Sequence, residues 1–474
     1  MKPANSITLF FAAAAFTAMS LPRLVEAETD ARTSGQRSLS TSDDEKRKQP
    51  DDVSSSLTNC PSYGCPILPR DMYFDEEAQE ALKAIRNLQV KIEQREEKSG
   101  GLEDTEVDNL GSLSLENALD RLKSAGGEDQ ATLTLIGYKG GKVEDQINQD
   151  RAFVISPFLI DQKTNTDTFP KARLMGVFDG HAKLGEFVSQ YSVSELPKLL
   201  SEKIHSLPLD QIENDEKAVK QILIDSFVQM DKAAPAELSG GCTASVVLQL
   251  GRKIYIANAG DSRSLVATFQ KSTGRVNIVY LSREDKPDLP DEKARVENMG
   301  GQVYIPQRVG ASSRVIYVDS YTGVQSGLAM SRSIGDWDAG NVGVIPNPIV
   351  EVLNIETLKN IQTEEDSCVA QIDARTGETT MDINCITNGE EKKDDNSLED
   401  DVEVFAVSAT DGMLDFVNVE DIARNVAASL YLDEGPHPLS ACEGLISTAA
   451  AGWWKSKDGK YRDDIAIAIS KFDS

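Results

Sequence analysis

The sequence predicts an α+β fold, in which strand clusters and paired helices form separate layers. Three observations lead there. First, apolar β-type runs come in groups, such as 243–250, 253–257, 264–267 and 276–281, rather than alternating strictly with helices. Second, long segments with helical periodicity flank those groups in pairs, at 181–204 with 218–233 and at 419–429 with 438–454. Third, several of the strand runs begin or end on an aspartate. Strand ends of one sheet lie along one edge, so these carboxylates can converge.

Taken in order, residues 1–27 read as a targeting peptide. Lys2 precedes an apolar, alanine-rich run at 7–21, and Val25-Glu26-Ala27 offers small residues near a cleavage point. The run is short for a membrane span, so no stable span is expected in the mature chain. The destination expected is the secretory pathway or the outside, with an organelle lumen as the alternative. Residues 28–70 are polar and proline-bearing and read as a disordered linker. Residues 71–127 form a helical extension: Ala78, Leu82, Ile85, Leu88 and Ile92 give an amphipathic helix over 75–98. That helix either packs on the chain's own domain or binds a partner. A single large domain follows over 128–474. Strands are expected at 132–138, 151–155, 174–178, 314–318, 349–353, 402–409 and 465–471 besides those above, and a short helix at 291–299. An acidic stretch at 355–401 interrupts them as an insertion.

Composition narrows the function classes. Asp and Glu number 77 against 49 Lys and Arg, a formal net charge of −28, which disfavours nucleic acid as a partner. The six cysteines do not have zinc-site spacing. With a secretory leader, Cys60–Cys65 and Cys368–Cys385 would be plausible disulfides, while Cys242 and Cys442 read as buried thiols. No Asn-x-Ser/Thr sequon accompanies the leader.

The candidate chemistry centres on LMGVFDGH, residues 174–181, where an apolar strand delivers Asp179, the Gly180 carbonyl and His181 to an edge. Asp150 leads into the strand at 151. Asp261 follows the run ending at Ala257, Asp411 follows the strand ending at Ala409, and Asp463 precedes the last strand. Converging carboxylates suit Mg²⁺ or Mn²⁺, which take oxygen ligands and keep water. A pair of such ions activates water and neutralises phosphoryl charge, and His181 is placed to supply a proton to a leaving oxygen.

Seven motifs then occur in sequence: NQD (148–150), VFDGHA (177–182), GCTASVV (241–247), ANAGDSRS (257–264), GLAMSRSIGD (327–336), SATDGMLD (408–415) and RDDIAI (462–467). With them, the region from about 131 to 472 resembles the metal-dependent protein serine/threonine phosphatases of type 2C, or PPM. The resemblance implies a four-layer αββα sandwich of two antiparallel sheets flanked by helices. It implies hydrolysis of phosphoserine and phosphothreonine in phosphoproteins, with two Mn²⁺ or Mg²⁺ ions per site. Asp179 and Gly180 would bind metal, with Asp411 and Asp463 completing the pair and Asp150 acting beside it. Asp261, Asp411 and Asp415 match a third, weaker position, and His181 matches the general acid. Ser331, Arg332 and Asp464 are assigned no chemical role. Two departures stand out. Asp145 occupies the position of an arginine that grips substrate phosphate in many members, leaving Lys142 as the expected contact. Gln149 stands where an acidic residue is common. Both departures suit the rival reading, a catalytically weak phosphatase-like binding or regulatory module.

Overall fold

In the computed structural model, the described residues are 66–67 and, between 127 and 472, all but 143–145, 162–165, 168–170, 237–238, 309–310, 321, 361–370, 373–378, 381–401 and 433–436. The targeting peptide, the helix expected over 75–98, both expected disulfides and Asp145 therefore lie outside the described residues. The strands that build the domain are β1 (Pro66–Ile67), β2 (Gln130–Leu135), β3 (Arg151–Ile155), β4 (Arg173–Phe178), β5 (Ala244–Leu250), β6 (Lys253–Ala259) and β7 (Arg263–Gln270). They continue with β8 (Arg275–Leu281), β9 (Gln302–Tyr304), β10 (Arg314–Val318), β11 (Gln325–Leu328), β12 (Ile349–Asn354), β13 (Val402–Ala409) and β14 (Ile465–Phe472). The main helices are α1 (Gly185–His205), α2 (Glu216–Ala233), α3 (Pro290–Asn298), α4 (Val419–Tyr431) and α5 (Pro438–Ser456).

Two antiparallel sheets result. One runs β1-β3-β4-β5-β6-β12 and the other β8-β7-β13-β14-β2. Helices α1 and α2 cover the first sheet, and α4 and α5 cover the second. The αββα sandwich is thus observed. The side chains show why it forms. Along β14, Ile465, Ile467 and Ile469 face the helices, while Ala466 and Ala468 face the opposite sheet. Along β4, Leu174 and Phe178 face helices, and Met175 and Val177 face the sheet. Period-two alternation therefore separates two apolar faces, not an apolar from a polar one, because each sheet is covered on both sides. Helix starts are set locally: Asp215 accepts hydrogen bonds from Lys217 and Ala218 at α2, and Asn418 accepts one from Asp421 at α4.

The structure corrects several boundaries. The helix expected from 181 starts at Gly185, because Gly180–His181 pairs with Gly241–Cys242, which pairs with Ile334–Gly335. The expected insertion does not begin at 355. Ile355–Asn360 is a helix whose Ile355 and Leu358 enter the core between the sheets, capped by the Asn354 side chain. Within 28–70, Pro66–Ile67 is not linker but pairs with β3. A smaller sheet, β9-β10-β11, packs with α3 around Val296, Val315, Leu328 and Met330. The register gathers the aspartates at one end. Arg151 pairs with Phe178, Val177 with Ser245, Ala244 with Ala259, and Arg263 with Ala409, so strand starts and ends alternate along that edge.

Candidate metal centre

The mini-sheet and the sheet edge place the predicted residues around one cleft. Asp179, Asp261 and Asp411 form the tight group: one carboxylate oxygen from each lies within 4.8 Å of the others. Asp179 is fixed through its backbone, its N–H donating to Thr243 Oγ1 at 3.0 Å and its carbonyl accepting from Thr243 N at 2.9 Å. Asp411 opens a short helical turn, Asp411–Leu414, which brings its carboxylate beside that of Asp179. Gly180 tolerates no side chain. A Cβ there would stand 2.5 Å from the Gln149 carbonyl oxygen and 2.6 Å from that of Gly185.

Asp150 is 1% exposed, and Thr410 Oγ1 donates to its Oδ2 at 2.7 Å. Asp463 stands apart from the tight group. It accepts from Tyr461 Oη at 2.9 Å and meets Lys139 Nζ at 3.2 Å. Asp415 lies one helical turn beyond Asp411, its N–H bonded to the Asp411 carbonyl. His181 Nε2 is 2.6 Å from Asp336 Oδ2, which also accepts from Ser333 Oγ at 2.7 Å.

Burial and crowding raise the carboxyl pKa values. Asp150 is held well above the carboxylate range by desolvation and then by Asp464. Asp179 is held well above it by desolvation and by Asp150, Asp411 and Asp463. Asp411 is pushed up to about 7 by desolvation, with Asp261 and Asp463 adding repulsion. Burial pulls the His181 imidazole down, but the Asp336 charge and hydrogen bond outweigh it and the ring is raised.

Whether this donor set suits a divalent cation can be tested on its unpaired atoms. Asp150 Oδ1 and Asp261 Oδ1 are buried, and neither has a hydrogen-bond partner among the described residues. A buried, unpaired carboxylate oxygen is costly. A hard cation held by oxygen ligands would satisfy both atoms and relieve the mutual repulsion. The residues present therefore fit Mg²⁺ or Mn²⁺.

Two cations to which sequence reasoning gave no role stand at the cluster. Lys139 bridges Asp463 and Asp464, and Lys286 donates to Asp261 Oδ2 at 2.7 Å. Both ammonium pKa values are raised: burial lowers them, but the neighbouring carboxylates prevail. A lysine four residues past the end of β2 carries no motif, and Lys286 became legible only with the fold. Lys142, the expected phosphate contact, is exposed on the loop after Gly140-Gly141. Asp464, assigned no chemistry, is structural. It accepts from Gly137 N at 2.5 Å and from Gln149 N at 3.2 Å, tying two loops together. The Gln149 amide points to the start of α1, donating to the Ala182 carbonyl and to Glu186. Asp336, the last residue of the motif at 327–336, was given no role from the sequence, yet it is the partner of His181.

Comparison with known proteins shows the family. The family model for protein phosphatase 2C matches residues 145–453. Probable protein phosphatase 2C 35 of Arabidopsis thaliana is 30% identical over 41% of this chain, which spans 58% of that relative. Probable protein phosphatase 2C 73 of the same plant is 24% identical, covering 76% of this chain and 88% of that protein. Among solved structures, a serine-threonine phosphatase 2C from Toxoplasma gondii matches with 17% identity and a TM-score of 0.49, over 73% of this chain and 95% of that one. The chain belongs to the protein phosphatase 2C family of serine/threonine phosphatases.

Proposed function

We propose that the chain hydrolyses phosphoserine and phosphothreonine in phosphoproteins at a centre of two Mn²⁺ or Mg²⁺ ions, with a third, weaker position. The observation that carries this reading is the set of buried carboxyls at one sheet edge, with two buried oxygens unpaired and pKa values raised by burial and then by mutual repulsion. Bound cations would supply an acidified water and positive charge against the phosphoryl oxygens. Asp179, the Gly180 carbonyl, Asp411 and Asp463 would hold the pair, with Asp150 oriented beside them by Thr410. Asp261, Asp411 and Asp415 would hold the third. In the hydrolysis, the water oxygen bonds to phosphorus as the bond to the seryl or threonyl oxygen breaks, and that oxygen takes a proton. His181 would donate it. Asp336 would orient the ring through Nε2, 2.6 Å from its Oδ2. Lys142 remains our proposed contact for substrate phosphate.

The test is Mn²⁺-dependent turnover of a phosphothreonine peptide by the wild type and Asp179→Asn. We expect activity in the first and none above background in the second. Turnover by Asp179→Asn at saturating Mn²⁺ would remove the assignment of Asp179. A wild type that folds but neither binds Mn²⁺ nor turns over would favour the binding-module reading. We further propose that residues 1–27 direct the chain into the secretory pathway or an organelle lumen. Retention of the full leader on cytosolic protein would overturn that. Among the described residues, no helix is long and apolar enough to cross a membrane.

A further inference from the structure

The motif at 327–336 has a second end that the site described above does not use. Ser331 and Arg332 face away from His181, into a buried ion cluster around Glu292 of α3. The Glu292 carboxylate is inaccessible to solvent and meets Arg332 Nη2 at 2.6 Å, Arg295 Nη2 at 2.6 Å and Arg283 Nη2 at 2.8 Å, with Ser331 Oγ as a further donor. Asp285 is equally buried and pairs with Arg283 at 3.0 Å and with Arg332 at 3.7 Å.

From Asp285 the contacts lead to the carboxylate cluster. Asp285 Oδ2 accepts from Gly260 N at 3.0 Å, and Asp285 N donates to the Gly260 carbonyl at 2.9 Å. Gly260 is thus held at both its donor and its acceptor. It has φ +115°, and a Cβ there would strike the Thr243 side chain, so the turn has one conformation available to it. Asp261 follows directly. Ser331 in turn holds Asp285: its N–H donates to the Asp285 carbonyl at 2.8 Å, and its Oγ, whose one proton is shared between that carbonyl and Glu292, lies 2.9 Å from the same oxygen.

We propose that Ser331, Arg332 and Asp285 are positioning residues for Asp261, and so set the affinity of the cation site to which Asp261 contributes. The inference rests on the reading of Asp261 as a cation ligand. The physical reason is general. A carboxylate on a turn must be held against the repulsion of Asp179 and Asp411, and groups that orient a ligand commonly change metal affinity by about 10- to 100-fold when removed. Here the orienting groups act through the backbone of the preceding glycine, not through the carboxylate itself. Because α3 also carries Val296 into the small core under β9-β10-β11, the same cluster joins that sheet to the metal centre.

The test is calorimetric titration of the full chain with Mn²⁺, for the wild type, Asp261→Ala, Arg332→Met and Ser331→Ala, with thermal unfolding of each. Asp261→Ala identifies the binding event that depends on Asp261. If no event changes in that variant, the reading of Asp261 as a ligand fails. Given such an event, we expect Arg332→Met to weaken it about tenfold or more while the remaining events keep their affinity. Ser331→Ala, which keeps its backbone bond to Asp285, should weaken the same event to a smaller degree. Arg332→Met and Ser331→Ala isotherms that superimpose on the wild type would overturn the positioning role. So would an equal loss across every event in folded protein, since that is general damage. Should Arg332→Met not fold, Ser331→Ala decides by the same criterion.

Discussion

Glu292→Gln is the perturbation whose size can be worked most directly. The substitution keeps the shape of the side chain and removes its charge. Glu292 is wholly buried among Arg283, Arg295 and Arg332, whose side chains are 17%, 21% and 13% exposed. A glutamine would offer one acceptor oxygen where two were shared by three guanidinium groups, and would turn an NH₂ toward other donors. Breaking a buried ion pair on one side costs about 3–5 kcal/mol. At about 2–4 °C per kcal/mol for a large domain, the midpoint should fall by about 6–20 °C. The pH dependence gives a sharper check. Burial raises the Glu292 carboxyl, but the hydrogen bonds and charges of Arg295 and Arg332 outweigh it and hold it well below the usual range. A depressed carboxyl contributes stability that is present above the unfolded-state pKa and is lost as pH falls through the folded one. The difference between wild type and Glu292→Gln should therefore shrink as pH falls below about 4.5, measured by chemical unfolding across that range. A difference under about 1 kcal/mol at pH 7, or one that grows on acidification, would refute the ion-cluster argument.

Three further expectations follow from the same geometry. Mn²⁺ uptake should release protons below about pH 7, because cation binding requires the raised carboxyls of Asp150, Asp179 and Asp411 to be ionised. Apparent affinity then falls as pH is lowered, and calorimetry in buffers of different ionisation heat at pH 6.5 should show proton release; none would count against the repulsive cluster. His181→Ala should lower kcat about 100-fold or more on alkyl phosphates and far less on aryl phosphates, whose leaving oxygens need little protonation; equal losses would remove the acid role. Lys142→Met should raise KM for a phosphopeptide and weaken inhibition by inorganic phosphate. If Lys139→Met does so and Lys142→Met does not, the phosphate contact belongs to the cation that already bridges Asp463 and Asp464.

The α+β layering and the strand-end aspartates were legible from local patterns, and the four-layer sandwich through the resemblance that the motifs carry. An apolar run ending in Asp-Gly is readable at 174–180 and again at 402–412, and antiparallel pairing turns such ends into one edge. What was not legible depends on contacts between distant segments. Asp336 meets His181 only because Gly241–Cys242 pairs with both Gly180–His181 and Ile334–Gly335. Lys286 reaches Asp261 only because Asp285 clasps Gly260 across the β6–β7 turn. The helix at Ile355–Asn360 was hidden by the acidic stretch that follows, since two buried side chains, Ile355 and Leu358, are too few to show a period.

The hydrogen bonds around the cleft show how such a centre can be folded without being neutralised. Thr410 engages one oxygen of Asp150 and leaves the other unpaired; Lys286 does the same at Asp261. Tyr461 and Lys139 hold Asp463 from outside the tight group, and Thr243 fixes Asp179 through its backbone alone. At Asp150 and Asp261 the contact therefore restrains a carboxylate while sparing one oxygen for another partner, whereas both oxygens of Asp463 are engaged. Had the lysines paired with both oxygens of each acid, the repulsion would vanish and with it the reason to bind a cation. Had no donor been supplied, the buried aspartates would protonate or swing to solvent. The Asp285 clasp on Gly260 extends this arrangement one shell outward. It holds Asp261 in place without occupying the oxygens that a cation would need.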